Sequence, residues 1–244
     1  MTHIPLPTFA TIPTTTFLMG TNESDLSTLA KTYGGTRESY REESPQHRVT
    51  LTSYAIATTP VTVALYAAYI AHGGVAPKSW DTQSSFVTNP VVDITWPMAT
   101  AFCVWLSRYS GDHYALPDEA QWECAARGVD GRQFPWGDTW DDCRAAVRTS
   151  CTQLPPVASY PSGASPWGCL DMAGGVWEWT TSLDRPYPYH ADDGRNDVQA
   201  PGRRIIRGGC YVNPHGYARC ACRFRMDPLL TNPFLGFRII KNPS

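Results

Sequence analysis

The sequence predicts an α+β fold, rich in loops, with few short helices and strands. Three observations lead there. Twenty-one Pro and nineteen Gly are spread along 244 residues and leave little room for long regular elements. Apolar residues recur at helical spacing in only three short stretches, and strand-like alternation is confined to short runs. From Gly128 to Gly202 periodicity fades while Trp stays frequent.

Taken in order, Met1 to Gly20 reads as extended. Asn22 to Glu43 is polar, carries Gly34-Gly35 and a charged run from Arg37, and reads as a surface loop with room for one short helix. His47 to Ala57 alternates through Val49 and Leu51, then shifts to Tyr54 and Ile56, a strand with an irregularity near Ser53. Pro60 to His72 places Val61, Leu65, Tyr66, Tyr69 and Ile70 on one helical face, with Thr59 as N-cap, Pro60 at the first position and Gly73 as the stop. Thr95 to Tyr109 is a second helix, whose apolar face is Trp96, Ala99, Phe102, Cys103 and Leu106. Asp118 caps a third, which Gly128 ends. Gln133 to Tyr160 and Thr180 to Gly202 read as long loops. Strands return at Arg203 to Arg207, Arg219 to Arg225 and Leu235 to Ile240. No linker or repeat divides the chain, so residues 1–244 are expected to form a single domain.

Composition excludes several classes. A net charge of -2 and the absence of any Lys/Arg run exclude a partner held through a phosphate backbone. No stretch reaches the roughly 20 apolar residues of a membrane span. Pro5, Pro7 and Pro13 interrupt an N-terminus with no basic start or apolar run, so no signal peptide is expected. The eight cysteines then read as reduced thiols in a cytoplasmic protein. None forms a CxxC pair.

A series of motifs carries a family resemblance: Phe17-Leu18-Met19-Gly20, Glu43-Ser44-Pro45-Gln46-His47-Arg48-Val49, Pro60-Val61-Thr62, Leu116-Pro117-Asp118-Glu119-Ala120-Gln121-Trp122-Glu123, Pro135-Trp136-Gly137-Asp138, Gly168 to Trp179 and Arg207-Gly208-Gly209. In this order they resemble the formylglycine-generating-enzyme (sulfatase-modifying factor) domain. The resemblance implies a variant of the C-type lectin fold. It spans aerobic formylglycine-generating enzymes, sulfoxide synthases of ergothioneine biosynthesis and variable proteins of diversity-generating retroelements. Trp122, Trp136, Trp167, Trp177 and Trp179 are expected to anchor its loops by burial.

The aerobic enzyme, by this resemblance, uses a cysteine pair after its Arg-Gly-Gly motif and binds copper there, as soft thiolates suit Cu(I). The matching positions hold Asn213 and Ala218, neither of which supplies a thiolate. Cys220 and Cys222 are displaced from them. The six His are scattered, with no metal-site pair at i, i+4, and no nucleophile-elbow signature occurs. The expectation is therefore a protein that is not an enzyme.

The segment 207–240 resembles the variable region of a retroelement-diversified protein. Arg207-Gly208-Gly209, Arg219, Arg223, Pro228 and Gly236-Phe237-Arg238 form its frame. Tyr211, Val212, Asn213, His215, Tyr217, Cys220, Cys222, Phe224, Leu230, Asn232 and Phe234 are the expected ligand-binding positions. Adenine-specific mutagenesis of an AAC codon yields such residues but not Lys, Glu, Gln, Met or Trp, and of those five only Met226 lies between Cys210 and Leu235. On a strand, Cys220, Cys222 and Phe224 share one face and Arg219, Arg223 and Arg225 the other. The apolar face, with Val212, Tyr217 and Phe234, is expected in solvent as a contiguous patch, and the arginines tied to the scaffold.

The resemblance also implies calcium, through the carboxylates of Asp171 and Glu178 and the carbonyls of Gly174 and Val176. Gly175 stands where the family usually has Asn. The reading is a non-enzymatic protein that binds an unidentified protein or other macromolecular ligand, neither nucleic acid nor membrane, through a diversified C-terminal surface. The alternative is a copper-dependent formylglycine-generating or related thiol-modifying oxidoreductase. A near-copy of the 3′ coding end in flanking DNA would mark diversification.

Overall fold

The computed structural model describes residues 4–241. In chain order its elements are β1 (Phe9–Ile12), β2 (Thr15–Met19), α1 (Leu26–Tyr33), β3 (His47–Leu51), β4 (Tyr54–Ala57), α2 (Val63–Ala71), α3 (Trp80–Gln83), α4 (Trp96–Ser110), β5 (Tyr114–Ala115), α5 (Glu119–Arg127), β6 (Trp177–Leu183), β7 (Arg204–Arg207), β8 (Arg223–Met226), β9 (Leu235–Gly236) and β10 (Ile240–Lys241). The expected α+β fold with few short elements is what forms. The strands make two four-stranded sheets, ordered β1-β4-β10-β5 and β8-β7-β6-β9, and a β2-β3 hairpin. In the second sheet β6 and β9 run parallel while β7 is antiparallel to both its neighbours.

Two apolar clusters hold these layers together. Tyr66, Phe102, Trp179, Ile206 and Phe237 pack α2 and α4 against the second sheet, and Tyr66 stacks on Phe102 at 5.6 Å. Phe17, Ile56, Trp122 and Ile240 pack α5 between the hairpin and the first sheet. Trp122, Trp177 and Trp179 are buried as expected, whereas Trp136 and Trp167 are only half-buried.

Helix starts follow side-chain chemistry more closely than periodicity. Thr95 and Asp118 cap α4 and α5, accepting from Met98 N at 3.3 Å and Gln121 N at 2.7 Å. The cap of α2 is Thr62, not Thr59: its hydroxyl accepts from Leu65 N at 3.3 Å, so the helix starts three residues late. The irregularity near Ser53 divides the strand expected from His47 to Ala57 into β3 and β4, which join different sheets. The loop expected from Asn22 to Glu43 is mostly helical, because Leu26, Leu29 and Tyr40 bury a small core of their own. Residues 180–183, read as loop, complete the central strand β6.

His47 joins the hairpin to the loop after β6. Its Nε2 accepts the Tyr189 N–H at 2.8 Å, so Nδ1 carries the proton that bridges 2.8 Å to the Pro45 carbonyl. Burial lowers its pKa. A depressed histidine pKa favours the neutral ring in the folded state. Its contribution is complete above the unfolded value of about 6.5 and is lost as pH falls through the folded value. Burial raises the Asp118 carboxyl pKa to about 6, which works in the opposite sense over the same range. The test is therefore the difference between proteins: in urea melts between about pH 7 and 5, His47→Gln should lose less stability than the wild type. Parallel profiles for the two proteins would remove His47 from the account.

Candidate functional site

The site is built where β7 ends. Gly209 has φ +71°, and a Cβ there would lie 2.8 Å from the Tyr217 carbonyl, so glycine lets residues 210–218 fold back onto the sheet edge. Inside this fold Asn213 Oδ1 accepts from Trp177 Nε1 at 2.9 Å, Cys210 N at 3.2 Å and the Cys210 thiol at 3.0 Å. Burial raises the Cys210 pKa. Tyr217 and Phe224 flank Trp177, with ring centroids 6.4 and 6.1 Å away.

Arg207 holds the next segment from behind. Its Nη1 donates to the carbonyls of Cys220, Ala221 and Cys222 at 3.2–3.3 Å. Its Nη2 lies 3.1 and 3.0 Å from Glu119 and Glu123 and donates to the Tyr187 hydroxyl at 2.7 Å. Arg223 meets both oxygens of Glu119 at 3.0 and 3.1 Å, and Arg219 both oxygens of Glu43 at 2.7 Å. All three arginines are buried; Arg225, half-buried, pairs with Glu42 and Asp184. The arginines are tied to the scaffold, as expected.

Two depressions border the segment 211–217: one reaches Tyr211 and the other Pro214, Gly216 and Tyr217. A groove of about 440 Å³ runs between residues 33–43 and 214–225, with Tyr33, Tyr40, Tyr217 and Phe224 among its walls and Cys222 on its floor. A cleft of about 910 Å³ lies between residues 79–93 and 151–156 and reaches Tyr211 and Pro233. Asn89 Nδ2 donates to the Leu154 carbonyl at 2.9 Å and ties its walls together.

The expected apolar patch forms only in part. Val212, Tyr217 and Phe224 are 37, 43 and 48% exposed, but Cys220 and Cys222 are 0 and 6% exposed. Residues 219–222 form a turn rather than a strand, because Arg207 gathers three successive carbonyls, and β8 begins only at Arg223. The two sulfurs enter different cores, and burial pushes each thiol up to about 12. Phe234 is half-buried against the core and edge-on to Tyr211 at 5.6 Å. His215 stacks on Trp140 at 4.8 Å. Leu230 is exposed, and Asn232 caps the turn before Phe234, accepting from its N–H at 2.8 Å. Sequence reasoning did not foresee the contacts of Asn213 with Cys210 and Trp177, or Tyr33 and Tyr40 as the opposite wall of the groove. The spacing of Leu26, Leu29 and Tyr33 was the available signal for the last two.

The four residues expected to hold calcium do not fit it. Glu178 is buried, and its carboxylate accepts Arg238 Nε at 2.6 Å, Arg238 Nη2 at 2.8 Å and Trp122 Nε1 at 2.8 Å. Asp171 accepts Ala158 N at 2.8 Å, which closes a turn. Gly174 and Val176 belong to the tight passage into β6, where a Cβ on Gly174 would meet the Ala146 carbonyl at 2.1 Å. A two-thiolate copper site at Asn213 and Ala218 does not fit either. Among the described residues no group of three or more His, Cys, Asp or Glu is placed to hold a metal ion, and no helix is long and apolar enough to cross a membrane.

With this geometry the fold class matches solved structures. PvdO from Pseudomonas aeruginosa superposes with a TM-score of 0.75 at 23% identity, covering 97% of this chain and 95% of that one. Treponema denticola variable protein 1 gives 0.72 at 23%, covering 96% and 95%. The chain belongs to the sulfatase-modifying factor enzyme 1-like domain family, whose model matches residues 2–243. It is 30% identical to hercynine oxygenase of Mycolicibacterium smegmatis over 81% of this chain and 55% of that protein. It is 34% identical to the formylglycine-generating enzyme of Streptomyces coelicolor over 62% and 52%. A serine/threonine-protein kinase pkn1 of Chlamydia caviae is 30% identical over 85% and 36%. The chain thus spans about a third to just over half the length of these curated relatives. The expectation that the protein is not an enzyme is overturned by these relatives, which are named as enzymes.

Glu178→Gln should destabilise the fold by roughly 3–5 kcal/mol, because Arg238 would be left buried with its charge uncompensated. A calcium chelator should leave the melting temperature of the wild type unchanged. A chelator-induced drop that disappears in Glu178→Gln would restore the calcium assignment.

Proposed function

We propose that the chain is a thiol-modifying oxidoreductase of this family, with its reacting region at Cys210 and Asn213. The carrying observation is the Cys210 thiol, 3.0 Å from Asn213 Oδ1, the position that matches the first cysteine of the family's pair. The cleft that reaches Tyr211 and the groove that reaches Tyr217 suit a substrate segment laid over residues 211–217. The cleft is walled by Phe86, Tyr211 and amide and hydroxyl side chains, and the groove adds Glu38, Glu42, Glu43, Arg219, Arg223 and Arg225 to its tyrosines. This mixed lining favours a peptide or similar macromolecular substrate over a ligand of one charge sign. Burial does not separate the three thiols, since Cys210 is 1% exposed beside Cys220 at 0% and Cys222 at 6%. Cys220 and Cys222 are spectators in this reading because only Cys210 meets Asn213.

The exposure of Val212, Tyr217 and Phe224 around a tied framework supports a second, compatible reading, in which these positions are diversified and set which ligand is taken. The flanking near-copy of the coding end decides that point.

The assay is incubation of a cysteine-containing peptide with the protein under dioxygen, with and without added copper, read by mass spectrometry. Loss of thiol mass with wild type, its disappearance in Cys210→Ser and its persistence in Cys220→Ser and Cys222→Ser are the expected results. No mass change with any thiol peptide, or full turnover by Cys210→Ser, would overturn the assignment.

A further inference from the structure

A third depression shares no lining residue with the cleft or the groove. It occupies about 720 Å³ between the end of α2, the outer side of α4, β5 and residues 198–199, a size that suits a small ligand. Tyr69, Trp96, Trp105 and Tyr114 contribute its rings. Trp105 packs on Tyr69 at 5.3 Å and on His72 at 5.6 Å, so the aromatic wall is a braced surface. Val104, Tyr109 and Val198 leave an exposed apolar rim beside it.

The charged side chain that lines this cleft is cationic, while Asp112 stands behind it, accepting from the Tyr114 hydroxyl at 3.3 Å. No Asp or Glu lines it. Arg108, on the last turn of α4, is exposed at its edge and makes no hydrogen bond or ion pair with any described residue. Behind the wall, Arg204 is buried and stacks over the Trp96 ring at 4.3 Å. Its guanidinium donates to the carbonyls of Thr181, Asp197 and Ala200 at 2.7–3.0 Å and enters no ion pair, while its Nε has no hydrogen-bond partner. Carbonyl dipoles satisfy those N–H groups without cancelling the charge. Burial lowers the Arg204 pKa and the Asp197 carboxylate opposes that only in part, with no ion pair formed, so positive charge is incompletely offset behind Trp96.

We infer that this cleft is a second binding site, for a small anionic ligand with an aromatic or otherwise flat apolar body. The rings of Trp96 and Trp105 would take the apolar body, and Arg108 would meet the anionic group at the rim. The cleft lies apart from Cys210 and Asn213, so the inference stands or falls independently of the proposed reaction.

Anilinonaphthalene sulfonate is a suitable probe, since its fluorescence rises on entering an apolar site. Titration into the full chain should saturate at one probe per chain. Arg108→Glu should weaken binding about tenfold by reversing the rim charge. Ala101→Trp, at an exposed position of α4 within the cleft, should abolish it. Both variants should melt with the wild type, which a thermal scan checks. Neutral phenylnaphthylamine should bind at least about tenfold more weakly than the sulfonate. Absence of saturable binding, binding indifferent to Ala101→Trp, or equal binding of the neutral probe with no effect of Arg108→Glu would each overturn the inference.

Discussion

The buried guanidinium of Arg207 is the constraint on which the rest of the site depends. It faces Glu119, Glu123 and Tyr187 on one side and three consecutive carbonyls of residues 220–222 on the other. The carboxylate of Glu119 also receives Arg223 and Arg195. One helix, α5, therefore anchors β7, the turn before β8 and the loop after β6 through charged contacts rather than through apolar packing alone. Such an arrangement is costly to break at any single member, because the remaining charges would be left buried. It also frees the outward side chains from a structural role. Phe224 and Tyr217 stand on a backbone whose path is set from behind.

That division separates an inner charged frame from the outward side chains. Val212, Tyr217 and Phe224 can be removed without leaving a buried charge, whereas the frame carries Arg207, Arg219, Arg223 and Arg238, each paired with a glutamate. The reacting region proposed at Cys210 and Asn213 lies at the junction, where Gly209 brings the chain back onto Trp177. Its thiol is buried, while the neighbouring side chains of Tyr211 and Tyr217 line the cleft and the groove.

Much of the architecture was legible in the sequence. The α4 and α5 caps, the Gly128 stop and the buried Trp122, Trp177 and Trp179 follow from local rules, and the motif series pointed to the family. What was not legible arose from long-range contacts. The turn at 219–222 reads as a strand because Arg, Cys and Phe alternate there, and only the distant Arg207 converts alternation into a turn. Cys220 and Cys222 are buried for that reason. Glu178 keeps its place in the motif but faces Arg238, sixty residues away in sequence, instead of a cation. The helical character of residues 26–43 was masked by their polarity, since a core as small as Leu26, Leu29 and Tyr40 barely marks the pattern.

The central claim is that charged contacts behind the segment, not the exposed side chains in front, hold it in place. The direct measurement is urea unfolding of two variants beside the wild type: Arg223→Ala, and the triple replacement of Val212, Tyr217 and Phe224 by Ser. The account predicts a loss of roughly 3–5 kcal/mol for Arg223→Ala and no more than about 1.5 kcal/mol for the triple variant, as expected of exposed positions. A triple variant that loses more stability than Arg223→Ala would contradict it.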